Sequence, residues 1–293
     1  MYRKISARVA GLLLLSLLLP GGTTFSAEKP VVYFGVNLRF QPITMYDHYQ
    51  PMLDYLTRNT SYKFELKISQ DYEETTKFLM EGKIDVASIG DGGQLRAMLL
   101  PGVVPIVSPL NEEGKPSYRS CFIVPAKTTI RSLQDLKGKN IALGYHHSTS
   151  GNLVPRSMLL KQGIRISDLG SMTNMRHHRD VATSVLKGKY DAGFVKESVA
   201  NSMKKDGLQI LSCSDELLSI PLLARPGLSA QVIKELTSAL VKLDHRNPQD
   251  RKMMENWDIE YQYGFVPAAT IDYAPLTTMY KRIPYGCGSG CHK

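Results

Sequence analysis

The order of apolar runs and capped segments predicts a mixed α/β protein of two lobes, the second inserted between parts of the first. Three observations carry this expectation. Short β-forming runs alternate with helical patterns between residues 31 and 109, the β-α-β order that builds a mostly parallel sheet covered by helices. A second alternation of the same kind begins at Ile141, after a strongly β-forming run over 118–124. A connecting run over 218–224 then returns the chain to a long amphipathic pattern over 228–245.

Residues 31–36 are apolar throughout and read as a buried strand. A loop is expected over 37–44 and a helix from about 46 to 59. Residues 64–68 give the second strand, and 71–81 the next helix, with Phe78 and Leu79 inward. The third strand, 84–89, ends in Gly90-Asp91-Gly92-Gly93, where glycine lets backbone come close to a ligand and Asp91 becomes a candidate binding residue. A helix over 94–99 and a strand over 103–109 complete this unit. In the second unit a short capped helix over 129–138 leads to the strand 141–143. Strands at 171–175, 192–195 and 208–212 and a helix at 181–187 follow. Beyond 255 the pattern gives shorter helices and a tail. The expected division is 1–26 as a signal segment, 27–124 with 220–284 as a discontinuous first lobe, 125–219 as the second, and 285–293 as a Cys/Gly tail. Lobes of this kind bind ligands at the carboxyl ends of their strands, in the cleft where they face each other.

The N-terminus indicates export. Arg3, Lys4 and Arg8 precede an apolar stretch, 9–20, too short to span a bilayer comfortably, and Thr24 and Ser26 are small residues suited to cleavage after Ser26. The formal net charge is +9; the first 26 residues carry three basic side chains and no acidic one, leaving +6. A mildly basic exported protein suits an anionic ligand. No basic run interleaved with aromatics points to nucleic acid, and no spacing sets a serine beside a base in a nucleophile turn, so a binding protein is expected rather than an enzyme.

The most informative stretch runs from Lys139 to Pro155. Ile141–Leu143 is strand-like, Gly144 ends it, and Ser148, Thr149, Ser150 and Gly151 precede Leu153, Met158, Leu159 and Leu160 at helical spacing. The first turn of a helix presents unpaired N–H groups and the positive end of the dipole. Three hydroxyls added there make a pocket for a tetrahedral oxyanion. The same residues also read as a plain helix N-cap, and the turn alone leaves both readings open.

These stretches resemble one family: the phosphonate, phosphite and phosphate-binding proteins of ABC transporters. The resemblance covers most of the chain after the signal segment. It is carried by Tyr46-Asp47-His48-Tyr49-Gln50-Pro51-Met52-Leu53-Asp54-Tyr55-Leu56, by Gly82-Lys83-Ile84-Asp85-Val86-Ala87, and by Asp135-Leu136-Lys137-Gly138-Lys139 followed by Ser148 to Pro155. Further support comes from His178 with Val185-Leu186-Lys187-Gly188-Lys189-Tyr190-Asp191-Ala192-Gly193, and from Tyr263-Gly264-Phe265-Val266-Pro267 and Asp272-Tyr273-Ala274-Pro275-Leu276. The resemblance implies the two-lobed type II periplasmic binding fold with two crossover connections, a periplasmic location, a small anionic ligand, a membrane ABC permease as partner, and a monomer. It implies that Ser148, Thr149, Ser150 and Gly151 grip the anion, with His178 donating to it and His177 at the surface. Tyr46 is a further candidate donor, and Glu197 a candidate at the cleft mouth. Three departures bear on the ligand. Arg179 follows His178 where the family usually has an acid, Ser88-Ile89 replace an aromatic, and residues 219–223 lack an acid that some relatives carry, which fits a ligand without an amino group.

Four cysteines complete the reading. Cys121 and Cys213 either remain as two buried free thiols, the preferred expectation, or pair across the hinge. Cys287, Cys291 and His292 form a Cys-x-x-x-Cys-His tail. It reads first as a local disulfide or disordered end, then as a c-type haem site of altered spacing, then as a metal-binding tail. Otherwise no cofactor is expected. Two alternatives to transport follow: a ligand-sensing input protein for a membrane histidine kinase, and a redox protein carrying haem on that tail.

Overall fold

A computed structural model describes residues 28–38 and 41–282, the side chains of Asp91 and of 279–282 excepted. The expected signal segment, 1–26, and the cysteine tail, 285–293, lie outside the described residues, and no described helix is long and apolar enough to cross a membrane.

The first lobe is laid down as alternating strands and helices: β1 (Val31–Asn37), α1 (Pro42–Asn59), β2 (Lys63–Ser69), α2 (Tyr72–Met80), β3 (Val86–Ser88) and α3 (Asp91–Met98). Helix α1 starts four residues earlier than expected because Pro42 occupies its first turn, where a missing N–H costs nothing and the fixed φ suits a helix. Tyr46 is therefore helical. Helix α2 starts at the cap Asp71, whose carboxylate accepts the Glu74 N–H at 2.8 Å. Helix α3 starts at Asp91, three residues before the expected Gln94, and takes in Gly92 and Gly93, with Gly90 as its cap.

The expected strand over 103–109 is two pieces, β4 (Val104–Pro105) and β5 (Val107–Pro109), which pair in different sheets. The outgoing crossover is β6 (Ser117–Tyr118), and β7 (Ser120–Pro125) already pairs within the second lobe. Residues 120–124, expected in the first lobe, thus belong to the second. There the order is β8 (Asn140–Leu143), α4 (Val154–Lys161), β9 (Ser171–Asn174), α5 (His178–Leu186), β10 (Ala192–Lys196), α6 (Glu197–Ser202) and β11 (Leu208–Cys213). The capped helix expected over 129–138 is a single 3-10 turn, Leu133–Leu136, closed by a capping box between Ser132 and Asp135. The return crossover, β12 (Leu217–Leu218), pairs antiparallel with β6, so the two connections between lobes form one ribbon. The chain then adds β13 (Leu223–Ala224), α7 (Ala230–Val241), α8 (Pro248–Met254), β14 (Phe265–Pro267) and α9 (Ala274–Arg282) to the first lobe.

Each lobe holds a five-stranded sheet, β2-β1-β3-β13-β4 in the first and β11-β7-β10-β8-β9 in the second. In the first, Phe34, Met45, Tyr49, Leu53, Leu56 and Trp257 are fully or almost fully buried between sheet and helices. Each such side chain is worth about 1.5–3 kcal/mol of transfer free energy. In the second, period-two alternation along β7 sends Phe122 and Val124 to one face and Cys121 and Ile123 to the other, and both faces are covered. Cys121 and Cys213 form a disulfide, which corrects the preferred expectation of free thiols. They are directly opposed on neighbouring antiparallel strands, with Cα atoms 4.1 Å apart, so the bond lies inside the second lobe and does not cross the hinge.

Candidate functional site

The cleft is built from strand ends. In the second lobe, β8 delivers Gly144, whose N–H donates to the Gly151 carbonyl at 2.7 Å. A π-type turn, Thr149–Leu153, follows with Ser148 as its cap, and α4 continues from it. The turn closes this tightly because Gly144 and Gly151 meet face to face: a Cβ on Gly151 would stand 2.9 Å from the Gly144 Cα and 2.8 Å from the His178 ring. From β7, the Ser120 hydroxyl donates to the Ser150 carbonyl at 2.6 Å and anchors the turn to the sheet.

His178 opens α5. Its Nδ1 accepts the Lys196 N–H at 3.1 Å, so in the neutral ring the proton resides on Nε2. Nε2 lies 3.2 Å from the Ser148 Oγ, which also accepts the Gly151 N–H at 3.0 Å. With both lone pairs of Oγ engaged, its own proton is left for an outside acceptor. Thr149 Oγ1, fully buried directly behind, has no hydrogen-bond partner among the described residues. A buried hydroxyl without a partner is uncommon and calls for an explanation at the site.

Between the lobes lies a cavity of about 840 Å³. Its second-lobe wall is Tyr145, Ser148, Arg176 to Arg179, Lys196 and Ser198; its first-lobe wall is Asn37, Leu38, Tyr46, Gln70 to Tyr72 and Gly90, with residues 255–260 closing one end. Of the residues expected at the site, Ser148, His178 and Tyr46 line this cavity. His177 lines it as well, contrary to the surface position expected. Thr149, Ser150 and Gly151 lie behind Ser148, all buried. Glu197 instead lines a neighbouring cavity of about 590 Å³, 4.0 Å from Arg119. The side chain of Asp91 lies outside the described residues.

The glycines at 90–93 do not open the cleft to a ligand. A Cβ on Gly92 would collide with the His147 carbonyl, and one on Gly90 with the Tyr72 ring. They let α3 press its N-terminus against the serine turn of the other lobe. Ser88, standing where an aromatic was expected, hydrogen-bonds Tyr261, an aromatic supplied from elsewhere in the chain.

The lobes touch at both ends of the cavity. At one end the Tyr72 and Tyr145 rings meet edge-on at 5.0 Å, and His147 Nε2 is 3.7 Å from Glu73. Burial, with a smaller part from His146, pulls the His147 pKa below that of a free histidine, against the pull of Glu73. Burial, aided by Glu73 and Asp71, raises that of Tyr145. At the other end Lys196 Nζ is 2.9 Å from Glu260 and 4.3 Å above the Tyr118 ring. Lys196 and Arg176 escaped the sequence reading although both stand at carboxyl ends of strands, the rule that could have flagged them. The carboxylates absent from 219–223 are replaced by Asp47, Asp54, Glu255, Asp258 and Glu260, brought in from α1 and the segment after α8.

A family model for the periplasmic substrate-binding protein of phosphonate ABC transporters matches residues 34–273. The phosphate-import protein PhnD of Mycolicibacterium smegmatis is 24% identical over 251 residues, 77% of each chain. The fold resembles PhnD1 of Prochlorococcus marinus in complex with methylphosphonate, with a TM-score of 0.74 and 18% identity over 87% of this chain and 98% of that one. It also resembles the binding protein of a phosphonate transporter from Pseudomonas aeruginosa, with a TM-score of 0.70 and 20% identity over 82% of each. On the match to the family model and the two-lobed fold, the chain belongs to the periplasmic substrate-binding proteins of phosphonate ABC transporters.

Proposed function

We propose that this protein captures a phosphorus oxyanion (a phosphonate, phosphite or phosphate) in the periplasm, as a monomer and without chemical change, and presents it to a membrane ABC permease. The anion sits on the second-lobe wall of the cavity, against Ser148 and His178. Ser148 and Thr149 donate from their hydroxyls and His178 fixes the direction of the Ser148 proton, with Arg176 and Lys196 supplying positive charge nearby. Desolvating a hydrated anion among fixed, charge-assisted donors is what selective capture requires. The observation that carries this reading is the pair of hydroxyls: one buried without a partner among the described residues, the other with both lone pairs already engaged. The relative named for phosphate import and the fold neighbour holding methylphosphonate support the same ligand class.

Titration calorimetry of the purified protein with phosphate, phosphite, methylphosphonate and sulfate tests it. Binding of at least one phosphorus anion, weakened by Ser148→Ala, is the expected result. Undiminished binding in Ser148→Ala with Thr149→Val would remove the turn from the site.

A further inference from the structure

The space between the lobes is far larger than the anion it is expected to hold. Phosphate or methylphosphonate has five heavy atoms and displaces roughly 100 Å³, a few waters' worth. The cavity measures about 840 Å³ although the lobes already meet at Tyr72–Tyr145 on one side and Lys196–Glu260 on the other. Bringing the lobes together therefore does not remove the surplus. A chamber of this size suits a ligand with a substantial organic part.

We infer that the ligand is a monosubstituted phosphate or phosphonate whose organic part is a hydroxylated body of sugar or nucleoside size. Its phosphorus end lies on Ser148 and His178, and its body lies along α1 and residues 255–260. The inference rests on the anion-site reading above.

The chemistry of the far wall selects this class. Asp47 and Asp54 from α1 are exposed acceptors on this wall, Asp54 also accepting from Gln50, and hydroxyl and ring N–H groups satisfy them; Asp258 and Glu260 from beyond α8, already accepting from the Glu260 N–H and from Lys196, add negative charge. Pro51 lies between the first two and has no N–H, so the Asp47 carbonyl loses its usual helical donor and adds another acceptor on a residue that lines the chamber. Trp257 also lines it; it is 2% exposed and its indole N–H has no hydrogen-bond partner among the described residues. An alkyl chain laid here would strip water from these acceptors and return nothing. A second inorganic anion would meet carboxylates of its own sign. A ring bearing hydroxyls satisfies the acceptors with its edge.

The test compares adenosine 5′-monophosphate and ribose 5-phosphate with phosphate and methylphosphonate by calorimetry on the purified full-length protein. The larger probe of the two that fits better should bind at least about tenfold more tightly than either small anion. Ser202→Trp, on an exposed position of α6 that lines the chamber, should cost that probe at least about tenfold more than it costs methylphosphonate. Methylphosphonate or phosphate binding as tightly as both larger probes overturns the inference about the ligand body and leaves the anion site standing. Binding of none of the four overturns the anion-site reading, and this inference with it.

Discussion

The two lobes share one topology but carry different chemistry. The first runs β2-β1-β3-β13-β4 and the second β9-β8-β10-β7-β11; in each, three parallel strands joined by helices are followed by one antiparallel strand and then by an outer strand that runs with the first three. The strand ends that face the cleft correspond in pairs: Asn37 of β1 with the Ser148 turn after β8, Asp71 and Tyr72 after β2 with His177 and His178 after β9, and Gly90 after β3 with Lys196 of β10. The first lobe offers an amide, a carboxylate, a phenol and bare backbone. The second offers hydroxyls, imidazole and cations. No sequence repeat accompanies this structural one, because a sheet needs only buried apolar strands in the right order while the strand ends are open to variation. On the proposed reading the anion belongs to the second lobe and the first lobe closes over it.

The largest effect should come from the serine turn. Ser148→Ala with Thr149→Val removes two hydrogen bonds to a charged group, each worth about 1.5–3 kcal/mol, so affinity for the best phosphorus anion should fall by roughly two to four orders of magnitude. The melting temperature without ligand should fall by only a few degrees, the cost of the lost Ser148 cap. The first-lobe counterpart is Tyr46→Phe, at a half-exposed position, where the loss should stay below about tenfold. Equal losses in calorimetry would erase the asymmetry.

Next in size is the disulfide, which the second lobe has and the described part of the first lacks. It joins residues 92 apart, the first and last strands of the second lobe. Closing a loop of that length removes about 4 kcal/mol of chain entropy from the unfolded state. Cys121→Ala with Cys213→Ala should therefore lower the melting temperature by roughly 10 °C. Hydrogen exchange should quicken first in β7 and β11. Exchange quickening equally in β1 and β2 would mean that the lobes unfold as one unit.

What the sequence made legible, and what it did not, divides along the same line. The β-α order and the serine turn were readable because local chemistry specifies them: apolar runs for strands, hydroxyl caps and helical spacing for the turn. The disulfide was not, since it needs the register of β7 against β11 over 92 residues. The glycines at 90–93 suggested room for a ligand, but what approaches them is the backbone of the other lobe at His147, which no local pattern reveals. The acidic wall was missed for the same reason: Asp47 and Asp258 meet only after α1 and the segment after α8 pack together. Lys196 was a lone lysine in the sequence and acquires meaning from the Nδ1 of His178 and the carboxylate of Glu260.

The ion pair between lobes gives a smaller effect with opposite signs on its two sides. Lys196 is 12% exposed and Glu260 23%, so removing either leaves a poorly hydrated charge beside the cavity. Glu260→Gln removes the carboxylate beside the ammonium and should tighten anion binding by about threefold to tenfold, at low salt most clearly. Lys196→Met leaves the carboxylate and should weaken it by at least as much. Changes of the same sign in both variants would show that the pair acts on lobe closure and not through its field on the anion.

The smallest effect is the pH response of the other interlobe contact. The His147 pKa lies below its unfolded value, chiefly because burial penalises the charged ring. The unfolded chain then binds more protons than the folded one as pH falls past the ordinary histidine range. The neutral ring's contribution is therefore complete above that range and is lost as pH drops through the lowered, folded-state pKa. Glu73, 3.7 Å away, opposes the shift and limits its size. His147→Gln should flatten the decline in melting temperature between neutral and mildly acidic pH by a few degrees at most. Tyr145 titrates far above this window, its pKa raised by burial, and His146 remains in the variant, so a flattened profile reports on His147 itself. A steeper profile in the variant would mean that protonated His147 pairs with Glu73 strongly enough to hold the lobes together in acid, making this contact a closure device and the first lobe more than a passive cover.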